Sequence, residues 1–75
     1  MEIGNICYYC IVVPACGIYK CEELRIRTAK DDYYVGVSEK TSQAMIFTND
    51  MIGTYVFSTR HEAVDALKGF QEKND

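Results

Sequence analysis

At 75 residues the chain makes one domain, residues 1–75, with one small core, close to the size at which hydrophobic burial only just outweighs chain entropy; a two-domain enzyme with a deep cleft is excluded. With 48% hydrophobic and 25% charged residues it is a folding chain, not a disordered one. A net charge of -3 and a pI near 5.0 argue against salt-driven binding to a phosphate backbone, which needs a basic face to displace counterions, so a protein is the expected partner class, and direct binding to nucleic acid is not.

Ile6 to Val13 is β-branched and aromatic, and the chain resumes as Ile18-Tyr19 after Pro14-Ala-Cys-Gly17, the pattern of strand, Gly-containing turn and second strand. The run is not expected to be a targeting segment. Glu2 stands where a signal peptide needs a cation, two Tyr and two Cys interrupt the apolar residues, and the length is far below the ~20 residues that cross a bilayer. A soluble cytoplasmic protein with reduced thiols and no membrane partner is therefore expected. The second strand is expected to run to Thr28, Leu24 and Ile26 facing one way and Arg25 and Arg27 the other. Ala29 to Asp32 turns the chain. Tyr33, Val35 and Val37 then alternate with Tyr34, Gly36 and Ser38 as a third strand, and Glu39 to Gln43 turns it again. Ala44 to Thr48 makes a fourth strand, and Thr54 to Phe57 a fifth, which could pair with either the third or the first.

Helix entry falls at Thr59, because Glu62 three residues later completes a capping-box pattern. Ala63, Ala66, Leu67 and Phe70, widened by Val64, form an apolar stripe that must be buried, and the apolar side of the sheet is its expected seat. Gly69 offers a C-cap or a weak last turn, and Gln71 to Asp75 are expected to fray. The fold class is α+β: an antiparallel meander of four to five strands with one C-terminal helix packed on one face, in the order βββββα.

Cys7, Cys10, Cys16 and Cys21 come close to a zinc-knuckle spacing, with Cys where such sites usually carry His. Ile11-Val12-Val13, however, calls for extended backbone where a knuckle must wrap. If Pro14 to Gly17 is a four-residue loop pairing Val13 with Ile18, Cys10 falls opposite Cys21 while Cys7 lies on the other face. The expected metal ligand set is therefore none, and no cofactor is expected. Small buried thiols and a Cys10–Cys21 cross-strand disulfide stay open. The same register places Cys7, Tyr9, Ile11 and Val13 with Leu24 and Ile26, and Tyr8 with Arg25 and Arg27. Tyr8 and Tyr19 then share a face and could anchor a partner, with Tyr34, the Glu22-Glu23 and Asp31-Asp32 doublets completing the candidate surface. His61, the single histidine, opens the helix, where the dipole disfavours its cation, and no Ser or Cys nucleophile is spaced to pair with it. No catalytic residue is assigned, and the chain is not expected to be an enzyme.

Tyr34-Val-Gly-Val37, Phe47-Thr-Asn-Asp50 and Phe57-Ser-Thr-Arg-His-Glu-Ala-Val-Asp-Ala-Leu67 resemble small accessory proteins of phages and other mobile elements in Gram-positive bacteria. Those share aromatic-Thr-x-Asp, a Phe strand, then Thr-x-x-Glu-Ala and a helix. The resemblance covers about half the chain and lies in structural positions, so no functional residue is carried over. It implies a binding protein that inhibits a bacterial defence protein, such as a CRISPR effector or other defence nuclease, by steric occlusion, as an anti-CRISPR does. The alternatives from the residues alone are a Cys-rich metal-binding or redox-responsive module on Cys7, Cys10, Cys16 and Cys21, and a homo-oligomer, a homodimer among the options, in which the edge strand or the Tyr-rich face pairs with its own copy.

Overall fold

The β-branched run at the start of the chain forms the hairpin its residues call for. In the computed structural model, which describes residues 1–73, β1 (Ile6–Val13) pairs antiparallel with β2 (Ile18–Ala29), Val13 opposite Ile18 and Cys10 opposite Cys21. A short 3-10 turn, Pro14–Cys16, joins them, and Gly17 closes it at φ 67°, its N–H donating to the Pro14 carbonyl at 3.0 Å. β3 (Tyr33–Val37), β4 (Ala44–Thr48) and β5 (Val56–Phe57) complete one curled five-stranded sheet in the order β4-β3-β2-β1-β5, every neighbour antiparallel. The final strand thus joins the first. It is shorter than expected because turns around Gly53 (φ 88°) absorb Thr54 and Tyr55, whose N–H groups both donate to the Met51 carbonyl. β2 runs one residue further than expected, with a register shift between Ile26 and Thr28.

Since β4 and β5 lie on opposite edges, the connection between them must cross the sheet. It crosses the face of Cys7, Leu24, Ile26, Phe47 and Val56, the buried core cluster, on which Met51 and Ile52 pack. Curling brings the strands' rings together over that face: Tyr34 stacks on Phe47 at 5.4 Å, and Tyr9 meets Phe47 edge-on at 6.3 Å. Gly36 allows it, for a Cβ there would lie 2.9 Å from the Leu24 Cβ.

The helix α1 (Arg60–Lys73) therefore does not sit where the sequence places it. The apolar face closes on itself, and α1 packs on the opposite face, against β1, β2 and β5. Ala63, fully buried, is the contact point: the Cys10 thiol, alternate to Cys7, donates to the Ala63 carbonyl at 3.5 Å. Entry at Thr59 holds. The Glu62 N–H donates to the Thr59 hydroxyl at 3.3 Å, while that hydroxyl donates to the Glu62 carboxylate at 2.8 Å, so the returning bond ends on the cap side chain instead of its amide. Gly69 does not end the helix. Phe70 stacks on Tyr55 at 5.1 Å and holds the last turns, so Gln71 to Lys73 are helical where fraying was expected; residues 74 and 75 lie outside the described residues.

Candidate protein-binding surface

The expected anchor residues do not form one surface. Tyr8 and Tyr19 do share a face, but it is the face α1 covers, and both are half-buried. The Tyr8 hydroxyl donates to Glu23 at 3.3 Å; partial burial, then the Glu23 carboxylate, raises the phenol above its ordinary range, with Arg60 acting the other way. Tyr34 lies on the other face, half-buried against the core and stacked on Phe47. Glu22 pairs with Lys20 at 3.8 Å and lines a small recess with Cys21, Glu23, Glu39, Lys40 and Arg60. Asp31 and Asp32 are exposed at the far end of β2, where the Asn49 amide donates to the Asp31 carbonyl at 2.9 Å. Tyr19 stands near one end of that strand and Asp31 just past the other, ~40 Å apart along an extended backbone.

What the structure does bring together is the half of the outer face that α1 leaves bare. Register sets Tyr33 beside Thr48, Val35 beside Ile46 and Val37 beside Ala44, all pointing the same way as Arg25. Ile46, 67% exposed, sits in the middle of this strip, and Tyr33 is exposed as well. At one end Arg25, Arg27, Val37, Ser38, Glu39 and Ser42 line a recess of about 260 Å³. Arg25 bonds Glu39 at 2.5 Å and the Gly4 carbonyl at 3.2 Å, which fixes its guanidinium at the rim. An apolar centre with a charged border is the composition of interface cores. The signal was available in helix length: 14 residues make a rod ~21 Å long and ~10 Å wide, enough to cover the two or three strands at one side of a sheet with ~4.8 Å spacing but not all five.

The four thiols are not gathered. Cys7 faces the core, Cys10 and Cys21 stand opposite each other on the helix side, and Cys16 is exposed in the hairpin turn. Among the described residues no three His, Cys, Asp or Glu side chains are placed to share a metal ion. Burial raises the Cys7 thiol from its ordinary 9.0 to about 11, and burial with the neighbouring Cys21 does the same for Cys10. His61 is exposed, its Nε2 3.3 Å from the Asp65 carboxylate one turn on. Among the described residues no helix is long and apolar enough to cross a membrane. No family model, no curated protein and no solved structure matches the chain.

Proposed function

We propose that the chain is a non-catalytic binding protein of a mobile element, acting in the cytoplasm of a bacterial host, where it covers the working surface of a defence protein in the manner of an anti-CRISPR. One observation carries this reading: α1 packs on β1, β2 and β5, and on the same face β3 and β4 are left with exposed Tyr33 and Ile46 beside half-buried Val35 and Val37, bordered by Arg25 and Arg27. Apolar surface of this kind is buried when a partner protein arrives. The resemblance of the last two strands and the helix to accessory proteins of Gram-positive phages supplies the class of partner, a CRISPR effector or other defence nuclease.

Expression in a Gram-positive host whose CRISPR nuclease clears a targeted plasmid tests the reading. Plasmid retention should rise at least tenfold with the wild-type chain and return to background with Val35→Glu, which places a carboxylate in the strip. Clearance that proceeds at full rate against every defence nuclease assayed would oppose it.

A further inference from the structure

β4 is an edge strand with none of the features that keep edges apart. In an antiparallel ladder a residue turns its N–H and C=O to the same side, and successive residues alternate. The Ser38 N–H donates to the Gln43 carbonyl at 3.0 Å, and Gly36 and Tyr34 then pair with Met45 and Phe47. Gln43, Met45 and Phe47 therefore face β3, while Ala44, Ile46 and Thr48 turn their backbone groups past the end of the sheet, where no strand follows. Natural edges are guarded by charge, proline, a bulge or extreme shortness. Ala44-Met-Ile-Phe-Thr48 has no charge and no proline, its register with β3 is unbroken, and it is five residues long. The opposite edge is different: β5 has two residues.

We propose that the chain pairs with a second copy of itself through β4, joining two five-stranded sheets about a two-fold axis at Ile46. An antiparallel pair centred there sets Ile46 against Ile46 of the second copy, and Ala44 against Thr48 of the second copy on either side. All three are outward-facing positions, so each pair exchanges two backbone hydrogen bonds. The register is self-complementary: no charge meets its like within the strands, and the next pair outward joins Gln43 to Asn49 of the second copy, two amides. On the helix side the two Ile46 side chains meet, and the two bare strips fuse into a four-strand floor between the two α1 helices. This follows from the backbone edge and holds whichever partner, if any, the floor receives. A five-residue strand pair buries less than the roughly 1,600 Å² of a standard complex, which places it with transient contacts that form in the micromolar range.

Sedimentation equilibrium of the reduced full chain from about 5 to about 500 µM, spanning the affinities such an interface reaches, tests the pairing together with amide exchange read by NMR. The average mass should climb from 8.6 kDa toward twice that value, and the Ile46 amide should become protected as it climbs. Ile46→Lys sets two ammonium groups face to face and should weaken association at least tenfold with unchanged circular dichroism. A mass of one chain at every concentration overturns the proposal. So does a dimer whose Ile46 amide stays as open as in the dilute sample, or a folded Ile46→Lys variant that still associates. Should that variant fail to fold, wild-type mass and amide protection decide alone.

Discussion

Gly36 is the position at which the sheet has no room for a side chain. An added Cβ would stand 2.9 Å from the Leu24 Cβ and 3.1 Å from its Cδ1, both fixed in the core, so relief requires the strands to part. Gly36→Ala should cost about 1–3 kcal/mol of unfolding free energy in urea, the usual scale for overpacking; an unchanged midpoint would contradict the close approach. The buried thiols give a pH dependence of known sign. Folding favours the protonated form of Cys7 and Cys10, whose ionisation moves from 9.0 to about 11. Their contribution is complete below pH 9 and is lost as pH rises through about 11. Urea stability measured across that window should fall, and fall less steeply in Cys7→Ala, where the slope is informative even though the cavity lowers stability at every pH. A flat profile would place the thiols in water. At this scale the sequence was readable wherever a residue's neighbours are local, as at Thr59 and Glu62. Tyr34 was grouped with Tyr8 and Tyr19 although alternation sets it with Gly36; that this set turns toward Ile26 and Phe47 follows from pairing with β2 and β4, which is not local.

The helix is the element whose position matters most. Its stripe of Ala63, Ala66, Leu67 and Phe70 was legible from spacing, as were the hairpin register and the Cys10–Cys21 pairing, because each rests on short-range periodicity. Which face of the sheet it covers was not. The answer depends on β5 joining β1, which sends the chain from Asn49 to Tyr55 across the apolar side and closes that side before α1 begins. Long-range strand order leaves little local trace, so the apolar face looked free for the helix. The contact between α1 and the sheet is set by small groups: Ala63 is fully buried, and its carbonyl accepts from the Cys10 thiol. Ala63→Leu should push the helix away and destabilise the fold by about 1–3 kcal/mol, whereas the same change at exposed Lys68 should stay within about 0.5 kcal/mol. Equal effects at the two positions in thermal unfolding would mean that α1 does not dock through Ala63.

Taken as a whole, the molecule measures 36 × 24 × 20 Å, a long sheet closed on one face by its own crossover and half-covered on the other by one helix. Two unfilled features follow from that arrangement, the strip beside α1 and the edge of β4, and both belong to the same end of the sheet. The candidate residues drawn from composition lay elsewhere, since aromatic and acidic side chains are conspicuous in a sequence while a face left bare is defined by what fails to reach it. We propose that a defence protein binds this bare half. Affinity capture from a Gram-positive host lysate, run side by side with wild type, Val35→Glu and Lys68→Glu on the outer face of α1, addresses it most directly. Wild type and Lys68→Glu should retain the same defence nuclease, and folded Val35→Glu should lose it by at least tenfold. Retention by all three alike, or capture of no defence component by wild type, would contradict the account.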